Sequence, residues 1–236
     1  MPYMSYGPKL VESREEIEER EKEEERQREL DELEQKSRNI SKEALELRQE
    51  GKYSEAIVFI NRALDYCNWL ADPWNVRAII LEDMNYYEDA LKSYDEAIKF
   101  GSSEVYRHNK ARCLVRYSRL LSGYNDNEKA LELIDDSLEI FETLKDKDYE
   151  DRAWNLKGML LERFNDFEGA FDCYKKALEI STKDNDMKPE YKKNRDRLIG
   201  LIDSSEKDCP KCGGRLEVTD NFCLKCGTRV DGKKTP

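Results

Sequence analysis

The sequence is poor in histidine, glycine and proline. One histidine, His108, stands among 236 residues, which excludes any site built from several imidazoles. Eleven Gly and six Pro are too few for a loop-rich all-β fold. The apolar runs fall short of the roughly 18–20 residues that span a bilayer. The opening stretch, MPYMSYGPKLVESREE, lacks the basic and apolar regions of a signal peptide. Apolar residues reach 38% and charged residues 39%. A single barrel or doubly wound sheet needs more apolar surface, whereas long helices that each bury one stripe do not. Positive charge is also short. The net charge of −11 disfavours wrapping nucleic acid, because phosphate binding draws on excess Lys and Arg. None of G-x-x-x-x-G-K-[ST], H-E-x-x-H or G-x-S-x-G occurs, so an enzyme is not expected. The expectation is a soluble, cytoplasmic, helical protein.

Residues 1–36 hold 7 Lys/Arg and 13 Asp/Glu. Acid-first pairs four apart (Glu16 with Arg20, Glu18 with Lys22, Glu24 with Arg28, Glu32 with Lys36) each add about 0.2–0.5 kcal/mol to a helix. Apolar positions are sparse, and Glu24 interrupts the one heptad-like spacing, so a sustained coiled-coil seam is missing. The segment reads as a solvated acidic helix, with docking or dimerisation as the sharper alternative. Without Gly or Pro between 9 and 50, it continues into the next helix.

The middle of the chain repeats itself every 34 residues or slightly more. Gly51-Lys-Tyr53-Ser-Glu-Ala56 is echoed by Asn85-Tyr-Tyr87-Glu-Asp-Ala90 and by Asn165-Asp-Phe167-Glu-Gly-Ala170; Asn127-Glu-Lys-Ala130 follows it in part. Seven residues beyond each alanine stand Ala63, Ala97, Ser137 and Ala177, with Ile60, Tyr94, Ile134 and Tyr174 between. The preceding helix of each unit carries Ile40, Trp74, His108 and Trp154 at one position. The small residue four further on is Ala44, Ala78 and Gly158, with Arg112 in its place in the third unit, where the phase of the first helix is open by one residue, to Ala111. Small side chains let antiparallel helices approach, and large ones at i, i+3, i+4 and i+7 fill the space around them. A single helix pair cannot bury its own stripe, so neighbouring pairs stack.

These positions resemble the tetratricopeptide repeat. The resemblance implies an all-α helical solenoid of four helix–turn–helix repeats, at about 37–70, 71–104, 105–150 and 151–184. The third is lengthened in both helices or their loops. Arg119 to Gly123 then extends its first helix, and Pro189 opens a capping helix with Tyr191, Leu198, Ile199 and Ile202 as its apolar stripe. The domain reading is an acidic helix at 1–36, the solenoid with its cap at 37–203, and a small C-terminal domain at 204–236.

In that family the first helices line a concave groove that holds a partner peptide or helix. Groove candidates by phase are Arg48, Asn75, Glu82, Asn109, Arg116, Asn155, Met159 and Arg163. Asn75, Asn109 and Asn155 recur at one position and could clamp a peptide backbone, or could simply bond neighbouring helices. The net charge of residues 37–208 is −8, which favours a basic or neutral peptide.

Seven cysteines, an odd number, weaken a disulfide framework. Cys67, Cys113 and Cys173 fall in helical patterns. Cys209, Cys212, Cys223 and Cys226 form C-x2-C-x10-C-x2-C, which suits a tetrahedral, all-thiolate zinc site with no open position for catalysis. The CPKCG and FCLKCG halves resemble a short zinc ribbon, implying one structural zinc ion and a small β domain. About 28 residues cannot form an adequate core alone, so metal would supply the folding energy. The pairing of repeats with a ribbon resembles prokaryotic, especially archaeal, tetratricopeptide-repeat proteins. It implies a protein–protein adaptor with an unnamed protein partner. The alternative is a transcription- or translation-associated protein whose ribbon touches nucleic acid through Lys211, Arg215, Lys225 and Arg229.

Overall fold

The computed structural model describes residues 13–145, 147–181, 186–205, 207–208, 211–212, 215–216, 225–226 and 228. Among them are nine helices and one two-stranded pair, in two compact units, Met1–Ser102 and Ser103–Pro236.

The first unit contains α1 (Arg14–Gln49), α2 (Tyr53–Tyr66), α3 (Ala71–Asp83) and α4 (Tyr87–Phe100). Ser13 opens α1 with a reciprocal cap. Its hydroxyl accepts from the Glu16 N–H at 3.2 Å, while the Glu16 carboxylate accepts from the Ser13 N–H at 2.6 Å. These two bonds, the backbone one foremost, hold the Glu16 carboxyl below its usual range. From Arg14 to Lys36 the helix is almost wholly exposed, and packing begins at Ser37. The acidic segment therefore runs unbroken into the first repeat. Glu24 pairs with Arg28 at 3.7 Å, while Glu16 is taken by the cap and Glu18 meets Arg14 at 3.2 Å. Ile40 and Ala44 of α1 form a core with Ala56, Ile60 and Ala63 of α2 and Val76 and Ile80 of α3.

The second unit contains α5 (Glu104–Gly123), α6 (Asn127–Leu144), α7 (Lys147–Arg163), α8 (Phe167–Ile180) and α9 (Lys188–Ser205). It also has β1 (Lys207–Asp208) paired antiparallel with β2 (Arg215–Leu216). Ala111, Val115, Ala130, Ile134, Phe141, Ala153 and Leu160 make one core, and Ala170, Tyr174 and Leu198 seat α9 on the last hairpin.

The turn inside each hairpin is the same. Gly51, Asn85, Asn125 and Asn165 have φ of 77°, 63°, 63° and 60°. The next residue's N–H reaches back to the first helix: Lys52 to Leu47, Tyr86 to Leu81, Asp126 to Leu121 and Asp166 to Leu161, at 2.9–3.1 Å. Glycine and asparagine tolerate the left-handed backbone that closes such a helix end. The second helices follow the sequence reading throughout. Ala56, Ala90, Ala130, Ala170, Ala63, Ala97, Ser137 and Ala177 are all fully buried.

Two details differ from the sequence reading. In the third repeat the small residue at the helix crossing is Ala111, fully buried, and not position 112. Arg112 instead lies with its guanidinium 5.0 Å from the Tyr149 ring centre. The phase slips because the lengthened α5 turns its small side chain, not its cation, onto the core shared with α6 and α7. In α9, Tyr191 and Leu198 are buried as expected, but Ile199 is 43% exposed. One helical position past Leu198 has already turned about 100° away from α8.

Candidate functional site

The first helices α1, α3, α5 and α7 carry the groove candidates, and the fold gives these residues different tasks. In the first unit, Arg48 is drawn into the protein. Its Nε donates to Asp83 Oδ2 at 2.6 Å, tying the end of α1 to the end of α3. Glu82 is 5% exposed and accepts the Tyr94 hydroxyl at 2.9 Å, a bond inside its own hairpin. Asn75 is half-buried.

In the second unit, Asn155 is buried at 5% exposure. Its Oδ1 accepts from Asn194 Nδ2 at 3.2 Å, so the amide joins α7 to the capping helix instead of facing outward. Arg163 Nη1 donates to the Ser122 carbonyl at 2.5 Å and to Asn127 Oδ1 at 3.1 Å, linking the end of α7 to the α5–α6 turn. Met159 is 44% exposed, Arg116 is exposed, and Asn109 is half-buried. The supposed row of asparagines is thus broken. Asn155 serves the cap, and the one-residue slip in α5 puts Asn109 out of phase with it.

Met159 and Arg163 border a cleft of about 290 Å³ between α7 and α9, completed by Glu190, Asn194 and Arg197. Its floor is an anchored ion pair. Arg197 Nη2 meets both Glu162 carboxylate oxygens at 2.6 Å, and the buried Tyr174 hydroxyl donates to Glu162 Oε1 at 2.5 Å. Burial first, and the Glu162 bond second, push the Tyr174 phenol above its usual range. The Glu162 carboxylate and the Arg197 guanidinium satisfy each other. A larger hollow, about 620 Å³, runs beside Glu29, Glu32, Leu33, Gln35, Lys36 and Asn39, all on α1.

The sequence had singled out Trp74 and Trp154 as helix-start aromatics. Trp74 Nε1 donates to the Asn68 carbonyl at 2.8 Å, and Trp154 lies under Lys176 Nζ at 4.0 Å and Lys157 Nζ at 5.5 Å. His108 packs edge-on to Tyr149 and Phe141, with ring centres 5.2 and 6.2 Å away.

Of the four clustered cysteines, Cys212 and Cys226 are described. Each is partly exposed and stands in a turn. Cys209 and Cys223 lie outside the described residues. β1 and β2 pair in the register Lys207 against Leu216 and Asp208 against Arg215. Thr228 Oγ1 lies 3.1 Å from Cys226 Sγ. Among the described residues, no three His, Cys, Asp or Glu side chains converge on a metal position.

With the helix hairpins, their repeated turn and their shared core in place, the comparisons with known proteins become informative. The tetratricopeptide-repeat family model matches residues 151–184, the α7–α8 hairpin. The α7–α8 hairpin thus matches a tetratricopeptide repeat. The chain is similar to the apo form of RapI, with a TM-score of 0.56, 16% identity, and coverage of 72% of this chain and 65% of that one. It is also similar to BtubC from P. vanneervenii, with a TM-score of 0.51, 16% identity, and coverage of 72% and 74%. At that identity the likeness is one of fold. PilF of Pseudomonas aeruginosa matches at a TM-score of 0.47 and 19% identity, over 75% of this chain and 72% of that one. No curated protein sequence matches the chain. Among the described residues, no helix is long and apolar enough to cross a membrane.

Proposed function

We propose that this protein is a non-enzymatic adaptor that holds a segment of a protein partner on the exposed faces of its first helices. The observation that supports this is the outward stripe of α7. Tyr149, Arg152, Met159 and Arg163 follow one another at helical spacing, and Met159 is 44% exposed beside a cleft. A helix face needed only for solubility would carry short polar or mixed charged groups there. Exposed arginine and methionine with an aromatic are the residue types that make protein contacts. The experiment is affinity capture from source-cell lysate on the full chain, with and without nuclease, read by mass spectrometry. Proteins retained after nuclease treatment are the expected result. Loss of all partners with nuclease would replace the adaptor with the nucleic-acid reading.

The C-terminal cysteines add a structural knuckle in this reading. Cys209, Cys212, Cys223 and Cys226 would hold one zinc ion, which supplies the folding energy that so short a segment lacks. What supports the assignment is the spacing together with the turns at Cys212 and Cys226. Four thiolates suit tetrahedral zinc and leave no position for substrate. A second contact on the same chain would raise avidity through effective concentration. Metal analysis of the purified chain should find one zinc per molecule, and Cys212→Ser should lose it while keeping the helical signal of the repeats. A variant that retained full zinc would refute the ligand set.

A further inference from the structure

We propose that the turn edge of the last two repeats binds a partner segment rich in Lys and Arg. This rests on the adaptor reading for a protein partner, but the contact lies on the hairpin turns and not on the first helices.

The two hairpin turns of the second unit carry one pattern, an aromatic residue followed by Asn-Asp-x-Glu. Tyr124-Asn125-Asp126-Asn127-Glu128 joins α5 to α6, and Phe164-Asn165-Asp166-Phe167-Glu168 joins α7 to α8. The backbone repeats with it. The Tyr124 N–H donates to the Leu121 carbonyl at 2.9 Å and the Phe164 N–H to the Leu161 carbonyl at 3.0 Å. Each precedes an asparagine, at φ 63° and 60°. The two rings therefore leave the chain at equivalent points. Arg163 ties the turns together, since its Nη1 donates both to the Ser122 carbonyl and to Asn127 Oδ1.

Both rings meet solvent, Tyr124 at 74% exposure and Phe164 at 43%. The turn does not require an aromatic there. In the first unit Glu50 and Met84 hold the same place, before Gly51 and Asn85 of the same left-handed conformation. The acids that follow have a local reason, because they begin the second helices at the positive end of the helix dipole. The rings have none in the fold, and exposed aromatics are the residue type that protein contacts favour.

The carboxylates decide which partner fits. Asp126, Glu128, Asp166 and Glu168 are all exposed. Asp166 Oδ1 accepts the Gly169 N–H at 2.9 Å, and among the described residues none of the four is in an ion pair. Two cations share the edge and both are engaged, Arg163 as the brace and Lys129 at 3.3 Å from the Tyr117 hydroxyl. Glu162 is already matched by Arg197. The surplus at the edge is negative, like the net charge of −11. A Lys or Arg side chain meets both features, its stem and cationic head lying over a ring while a neighbouring cation pairs with a carboxylate. An acidic peptide or a nucleic acid would meet repulsion. Neighbouring helices stand about 8–10 Å apart, a distance that about three residues of extended chain cover, so a short segment reaches both rings.

The test is fluorescence anisotropy with the full chain at about 150 mM salt, where exposed charges are screened beyond about 8 Å. The probes are a short Lys/Arg-rich peptide, an Asp/Glu-rich peptide of equal length, and a single-stranded oligonucleotide. The variants are Tyr124→Ser with Phe164→Ser, Glu128→Gln with Glu168→Gln, and Val58→Ser on α2, an exposed apolar control at 64%. Circular dichroism checks that each variant folds. The ring pair alters no charge, so a general attraction of basic peptides to the acidic chain would not register it. We expect saturable binding of the basic probe, weakened at least about tenfold by the ring pair, several-fold by the carboxylate pair, and unchanged by Val58→Ser. Indifference to the ring pair would overturn the proposal, as would equal or tighter binding of the acidic peptide or the oligonucleotide. Self-association lost with the rings would also overturn it, by giving this edge to a second copy. If the basic probe ignores the rings while a lysate partner is still captured, the adaptor reading stands and this one falls.

Discussion

Gly158→Ala is a sharp test of how the last hairpin is packed, because two known effects oppose each other there. Replacing a mid-helix glycine by alanine ordinarily stabilises by about 0.5–1 kcal/mol, through the entropy the unfolded chain no longer holds. At this position a Cβ would stand 2.7 Å from Tyr174 Cε1 and 3.0 Å from Cδ1 and Cζ. The ring cannot easily yield. It is fully buried, and its hydroxyl is held by Glu162, which Arg197 grips at both oxygens. Helices α7 and α8 must therefore separate by several tenths of an ångström, and overpacking of this kind costs about 1–3 kcal/mol. The expected net loss is about 1–2 kcal/mol, or roughly 2–8 °C in Tm for a chain of this size. Urea unfolding followed by circular dichroism, with Trp154 fluorescence as a probe of this hairpin, measures it. The second repeat supplies the internal control. There Ala78 takes the small crossing position with Tyr94 buried in its partner helix, so that hairpin already accommodates a Cβ. If Gly158→Ala were stabilising by about 0.5 kcal/mol or more, the close approach of α7 and α8 would not be the reason for glycine.

Three further outcomes follow from the geometry. Tyr94→Phe removes a buried partner of the Glu82 carboxylate and should cost about 1–3 kcal/mol in urea unfolding; no change would mean that their 2.9 Å bond contributes nothing. Asn165 sits at φ 60°, so Asn165→Val should destabilise by about 1–2 kcal/mol while Asn165→Gly stays near neutral, and equal effects would refute the left-handed turn. Burial, the largest influence, pushes the Cys173 thiol up to about 11 from 9.0. The folded state then holds its proton more tightly than the unfolded one, so stability is full below pH 9 and declines as pH rises toward 11. Cys173→Ala should flatten that decline in stability-versus-pH curves, and an unaltered slope would assign it to other groups.

The hairpins could be read from the sequence because their signals are local and repeated. Alanine at 56, 90, 130 and 170, with its partner seven residues on, states which face of each second helix meets a neighbour, and all eight positions are buried. The turns were legible for a similar reason, since Gly51, Asn85 and Asn165 are residue types that tolerate a left-handed backbone. The third repeat was less legible. Its first helix is lengthened, and periodicity alone left Ala111 and Arg112 competing for the crossing; the contact with α6 and α7 settles it by volume and charge. The groove candidates were least legible, because phase says that a side chain leaves the core but not what it then meets. Asn155 meets α9, Arg48 meets Asp83, and Arg163 meets the α5–α6 turn, each across 35 or more residues of sequence.

The sequence by itself therefore determined the repeat length, the hairpin turns, the buried faces of the second helices and the unbroken run of the acidic segment into the first repeat. Each depends on side-chain size, charge or backbone freedom within a few residues. The tertiary structure decided which exposed-looking polar residues are consumed as braces, and where like charges gather. Arg112 and Arg152, 40 residues apart in sequence, converge on Tyr149 within about 5 Å of its ring centre. A net charge sums over the whole chain, whereas a ligand feels the charges nearest to it, because the field of an exposed group fades within about 10 Å in salt.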